Sequence, residues 1–164
     1  MRLAFTCQLP FHSGNPLGRR VVEGWSLGGF VNLASGLPLS ISQTNGRPIR
    51  IRNAAKSGPI VNRLTAYFDT TAFVPLPNQY TISPEPAYFA ELRAPGTRSL
   101  SLSLIKVVQI RERLRAEIRV ESTGFTNTPN FDAPATNMSN AATFGVITSA
   151  GGARSMQMGF RMMF

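Results

Sequence analysis

The chain has 164 residues, about one domain's worth, with 17 Lys plus Arg against 8 Asp plus Glu and a net charge of +9. One cysteine excludes an internal disulfide, and one histidine leaves neither a catalytic triad nor a zinc site with its parts. No nucleophile, base and metal set assembles, so no enzyme, metal or cofactor is expected, and no apolar run approaches the ~20 residues of a membrane-crossing helix.

Helix signals are sparse, Gly and Pro are frequent, and the apolar residues recur at period two. The first strand is expected over 2–11, where "RLAFTCQLPF" lines up Leu3, Phe5, Cys7, Leu9 and Phe11 on one face. This segment lacks a small-residue cleavage site and is not read as a signal peptide. The second strand, over 24–41, lines up Trp25, Leu27, Gly29, Val31 and Leu33. A long connection, 43–96, follows. Within it "NGRPIRIRNAAKSGPIVNR" carries Arg47, Arg50, Arg52, Lys56 and Arg63 with no acid between them. That cluster is a candidate loop for an anionic ligand or lipopolysaccharide phosphates, and its plainer reading is a solvated basic loop.

The third strand, 98–110, sets Leu100, Leu102, Leu104, Val108 and Ile110 against Ser99, Ser101 and Ser103. Lys106 breaks the apolar parity, and its ammonium is expected to snorkel toward lipid headgroups. The turn "RER" leads tightly into the fourth strand, 113–126, as an antiparallel hairpin. In that strand Leu114, Ala116, Ile118 and Val120 take one face, and Arg113, Arg115, Glu117, Arg119 and Glu121 take the other. A second loop covers 129–152 and includes "FGVITSA", read as part of the loop and not as a sixth crossing. The last strand, 153–164, aligns Met156, Met158, Phe160, Met162 and Phe164.

Strands of about ten residues have the length that a tilted strand needs to cross a bilayer. The apolar face then meets lipid and the charged face a wet lumen. Half-buried strands of soluble sandwiches alternate as well. Three observations favour the membrane. The charges on 113–121 alternate in sign, as a hydrated wall with cross-strand partners requires. The connections alternate between long and minimal. Phe11, Trp25 and Phe164 fall at one end on the lipid-facing parity, as half of a periplasmic aromatic girdle. The rival is a soluble, basic all-β module binding an acidic polymer or nucleic acid. Such a module wants aromatics interleaved with Arg, whereas Phe5, Phe11, Trp25 and Phe160 share a face with Leu, Val and Met. Nucleic acid is therefore not expected.

The stretches "GWSLGGFVNLASGLPLSIS", "FDTTAFVPLPNQYT", "APGTRSLSLSLIK", "RERLRAEIRVESTGFTNTPNF" and "FGVITSAGGARSMQMGFRMMF" resemble, in order, the C-terminal end of TonB-dependent outer-membrane receptors. The nearest group is the Oar-like type with a carboxypeptidase-regulatory domain. The resemblance implies an all-β fold: antiparallel up-and-down strands, the last five of a barrel of about 22, incomplete in this chain. It implies a bacterial outer-membrane location, and energy-coupled uptake by the whole receptor. Gln157, Gly159, Met162 and Phe164 fall on the positions of the family's terminal signal, read by the barrel-assembly machinery. Implied partners are outer-membrane lipid, the rest of the barrel and the plug, with TonB reached only through N-terminal parts that this chain lacks. Met1 is expected to be an internal methionine of a longer receptor. The chain departs from the family pattern at "STGFTNTPNF", which loses apolar bulk, and at "YTISPEPAYFAELRAPG".

Overall fold

Successive side chains along a strand point to opposite faces, and all five period-two stretches pair into one sheet. The computed structural model describes residues 1–78, 80–111 and 114–164, with the side chains of Pro16 and Leu17 outside that set. Glu112 and Arg113, the heart of the expected "RER" turn, lie outside the described residues. The sheet strands are β1 (Arg2–Gln8), β2 (Trp25–Ala34), β3 (Thr97–Arg111), β4 (Leu114–Thr123) and β5 (Ser155–Met163). Their order in the sheet is their order in the chain. The fold is all-β and up-and-down, with β1/β2, β3/β4 and β4/β5 antiparallel. The barrel is incomplete: β1 and β5 are the edges of the sheet.

The register puts the two parities on two faces. Leu104, Val120 and Met158 form one cross-strand row, and Val108, Ala116 and Met162 another. On the reverse face Ser103, Glu121 and Gln157 share a row, as do Val107, Glu117 and Arg161. Phe5 stands opposite Gly29, and its ring occupies the space that a side chain at Gly29 would need. An aromatic beside a strand glycine restores the packing that the glycine forfeits.

Strand ends fall short of the expected ones where the backbone cannot continue the ladder. The expected first strand, 2–11, ends at Gln8; Leu9 N–H still donates to Trp25 O at 2.9 Å, but Pro10 has no N–H to give. The connection that follows holds a helix, Pro16–Val22, that the period-two reading passed over. Proline at the first helical position and Gly24 with φ of 79° just beyond the end are its local signals. The expected second strand, 24–41, leaves the sheet at Ala34, and the expected fourth, 113–126, ends at Thr123, where Gly124 has φ of 59°.

The chain divides into two units. The sheet unit comprises Met1–Ala34, Arg98–Pro129 and Gly152–Phe164. The second, Ser35–Thr97 with Asn130–Gly151, is the loop unit, and it has a core of its own. Ile41, Phe68 and Ala72 are fully buried, joined by Phe73, Phe89, Phe144 and Ile147. Phe68 meets Phe144 and Phe73 edge-on, with centroids 5.2 and 6.0 Å apart, and Phe73 meets Phe89 at 5.6 Å. These are favoured geometries for aromatic pairs. Backbone bonds stitch the two segments together: Tyr67 N–H to Gly145 O and Ile147 N–H to Leu64 O, both 2.8 Å, and Met138 N–H to Ser42 O, 2.8 Å. Two-residue ladders pair Pro38–Leu39 with Phe89–Arg93, Ile49–Arg50 with Phe73–Val74, and Asn130–Phe131 with Ala150–Gly151. "FGVITSA" thus lies in the loop unit, where it supplies Phe144 and Ile147 to the core.

Candidate functional site

The charged face of β4 is a connected row. Side chains two residues apart on a strand lie on one face about 7 Å apart, within reach of an arginine. Arg119 takes Glu117 at 3.1 Å and Glu121 at 3.5 Å, leaving its own side chain half-exposed. Such wet pairs contribute only ~0–1 kcal/mol each; they keep the face hydrated and ordered more than they stabilise it. β5 extends the row. Gln157 Nε2 donates to Glu121 Oε2 at 2.6 Å, and Arg161 stands opposite Glu117. Arg115 shares the face, opposite Gln109 on one side and Met163 on the other; Arg113 lies outside the described residues.

The terminal motif is divided between the two faces. Gln157 and Gly159 belong to the polar face, Gly159 opposite Arg119 with open space where a side chain would stand. Met162 is on the apolar face opposite Ala116, and Phe164 lies past the end of β5, 94 % exposed. The apolar face is bare elsewhere too: Met156, Met158 and Phe160 are all more than half exposed. An apolar surface of that extent calls for a partner.

Of the three girdle aromatics, Phe11 is exposed beyond the end of β1. Trp25 sits at the start of β2, and its Nε1 donates to Val21 O at 3.1 Å. Lys106 corrects the expectation of a snorkelling chain. It is on the apolar face, in the row of Ile118 and Phe160, yet only 4 % exposed. Its ammonium donates to the carbonyls of Val21, at 3.0 Å, and Glu23, and lies 5.2 Å from the Trp25 ring centroid. The acceptors sit at and just past the end of the Pro16–Val22 helix, where carbonyls lack intrahelical partners and a cation is favoured. Sequence reading missed this node because it missed the helix.

In the loop unit four of the five cations find separate partners. Arg50 pairs with Glu91 and, at 3.8 Å, with Glu85, and its guanidinium stacks over Phe89 at 5.0 Å. Arg52 pairs with Asp69 at 2.9 Å and bonds the Thr71 hydroxyl. Lys56 donates to Ala66 O at 3.2 Å, and Arg63 to Lys56 O while stacking over Tyr67 at 4.7 Å. Arg47 buries its Nε without a hydrogen-bond partner. Arg50 and Arg52 line one cavity of about 460 Å³ together with Ile51, Asn53 and Glu91; Arg47, Lys56 and Arg63 do not line it. The acids that meet the arginines come from later in the chain, so a local reading of 47–63 shows only surplus positive charge.

Asp69 organises its corner by capping the turn Thr70–Ala72. The Thr71 hydroxyl donates to its carboxylate at 2.7 Å, and with Arg52 holds its carboxyl below the usual aspartate range. A depressed folded pKa adds stability that is present above the unfolded value, about 3.9, and is lost as pH falls through the folded one. Asp69→Asn is therefore expected to flatten the acid side of the stability profile. The check compares denaturant midpoints of wild type and variant from neutral pH down through the aspartate range. Equal slopes below the ordinary aspartate pKa would remove Asp69 from the acid response.

Among the described residues no three of His, Cys, Asp or Glu are placed to hold a metal ion. Among the described residues no helix is long and apolar enough to cross a membrane, which says nothing of strands. A family model described as an outer membrane beta barrel domain matches residues 1–157. No curated protein and no solved structure matches the chain.

Proposed function

From the premise that the chain belongs to the outer membrane β-barrel domain family and so resides in the bacterial outer membrane, we propose that it is the closing wall of a TonB-dependent receptor for energy-coupled uptake. The observation that supports this best is the two-faced sheet. Five strands in chain order expose Met156, Met158 and Phe160 on one face and gather Arg115, Glu117, Arg119, Glu121, Gln157 and Arg161 on the other. The first face suits lipid tails and the second a water-filled interior.

In hydrocarbon each unpaired backbone group costs several kcal/mol, so a spanning sheet must close. β1 and β5 therefore take neighbouring strands from the rest of a larger barrel, one of about 22 strands in the plugged transporters. The two-residue connection between β3 and β4 then belongs to the periplasmic side and the long connections 43–96 and 129–152 to the outer side, in keeping with short inner turns and long outer loops. In this role the sheet supplies wall, the loop unit presents a folded surface to incoming solute, and Gln157, Gly159, Met162 and Phe164 carry the assembly signal. The coupling step belongs to parts outside these residues, and nothing in this piece is assigned catalysis.

The test is the coding DNA upstream of Met1. An in-frame continuation with further alternating strands and a plug-like domain is the expected result. A continuation with barrel strands and no plug would leave an outer-membrane barrel and overturn TonB-coupled uptake.

A further inference from the structure

Three features of the sheet unit concern depth in the membrane. First, β3 is 15 residues long. At ~3.4 Å per residue and a tilt of about 40°, it rises roughly 36 Å, whereas the apolar band of an outer-membrane barrel is about 25 Å tall. Some residues of β3 must therefore lie outside the hydrocarbon. Second, Lys106 interrupts the apolar parity of β3 and is buried beneath the connector, its ammonium held by the carbonyls of Val21 and Glu23 and faced by Trp25. Third, that connector carries exposed Arg19 and Arg20 on its last helical turn, beside exposed Val21. Cations and an apolar side chain side by side suit the headgroup layer and not the hydrocarbon.

On the reading of this sheet as membrane wall, we infer that the segment Val21–Trp25, pinned across the apolar face by Lys106, marks the lower boundary of the lipid contact. Its partner is the phospholipid headgroup layer. From Lys106 up to Thr97 the strand rises about 23 Å at the same tilt, close to the height of the apolar band. Residues 107–111 then project below the membrane. Lys106 is thus a positioning residue for the connector, and its charge never enters the hydrocarbon.

Trp25 is the only tryptophan, so its fluorescence reports the depth of this node directly. The complete barrel that contains this chain, with every tryptophan outside the chain replaced by phenylalanine, is folded into phosphatidylcholine vesicles whose acyl chains carry bromine at a shallow, a middle or a deep position. Trp25 is expected to be quenched most by the shallow label. A second reporter, Leu102→Trp in a Trp25→Phe background, sits four residues further up the apolar side of β3, about 10 Å higher, and should be quenched most by the deeper labels. In Lys106→Met the Trp25 profile should shift toward the deeper labels, while Lys106→Arg keeps it shallow. The Leu102→Trp reporter in the Lys106→Met background shows whether that wall still inserts. Strongest quenching of Trp25 by the deep label, or a profile unmoved in Lys106→Met, would overturn the boundary while the Leu102→Trp signal upheld the membrane wall. Absence of quenching at both reporters would overturn the wall and the boundary together.

Discussion

Phe68→Ala lowers the stability of the loop unit by about 3–5 kcal/mol, the range for emptying a buried phenylalanine site. Phe68 is 0 % exposed and meets two other rings edge-on, Phe73 from its own segment and Phe144 from the other. Each such aromatic pair adds about 0.5–1.5 kcal/mol beyond the area it buries, so removing the ring loses packing on both sides of the stitch. With a urea slope of about 1–3 kcal/mol/M, the midpoint of the loop unit should fall by roughly 1 M or more. Protease cleavage within 35–97 and 130–151 should rise together, because the two segments share the core. Tyr80→Ala, at a residue 84 % exposed, is the companion measurement and should stay within about 0.5 kcal/mol of wild type. Equal effects for the two variants would mean that the aromatic cluster is not a core.

In the complete barrel that contains this chain, Met158→Arg should move insertion into phospholipid vesicles to lower urea, while Gly159→Gln, one residue further on, inserts like wild type. The contrast follows from parity alone. Met158 stands on the apolar face opposite Val120 and is 78 % exposed. An arginine on the lipid side of a barrel costs about 2–4 kcal/mol near the middle of the bilayer and about 0–1 near its boundary, and Met158, in the row of Leu104 two residues above Lys106, lies between the two. Gly159 faces the other way, opposite Arg119, with no atom within 4 Å of an added Cβ, so a polar side chain there meets water and a guanidinium. In a soluble protein the outcome differs, since replacing an exposed methionine by arginine is usually within ±0.5 kcal/mol. The check is the urea dependence of vesicle insertion for the complete barrel carrying each of the three versions of this chain. Indistinguishable curves would remove lipid as the partner of the apolar face.

The faces of the sheet were legible because parity survives errors at strand ends. Leu114, Ala116, Ile118 and Val120 fall on one side wherever the strand is taken to begin, and the register of β4 against its two neighbours keeps them there. What lies between the strands was less legible. Pro16–Val22 is only seven residues long, too short for a helical period to stand out, and its acceptors explain Lys106. The aromatic core follows no period at all. Phe68, Phe73, Phe89 and Phe144 come from turns and two-residue ladders in two separate segments, so no window along the chain contains the pattern. The same holds for Arg50 and Arg52, whose acids arrive by folding and not by neighbourhood.

The interlocking of residues 35–97 with 130–151 also imposes an order of events. Between the two segments in the chain lie β3 and β4, so the loop unit cannot complete its core until residues 130–151 come back to 35–97 across them. Closing so long a loop is an entropic cost met before any of its contacts form. The first segment alone lacks Phe144, Ile147 and the carbonyl of Gly145 that Tyr67 uses. Protection of the 35–97 segment from protease therefore serves as a clock: it starts only when the fourth connection of the sheet has delivered its residues, and it dates the return of 130–151 without any probe in that segment itself.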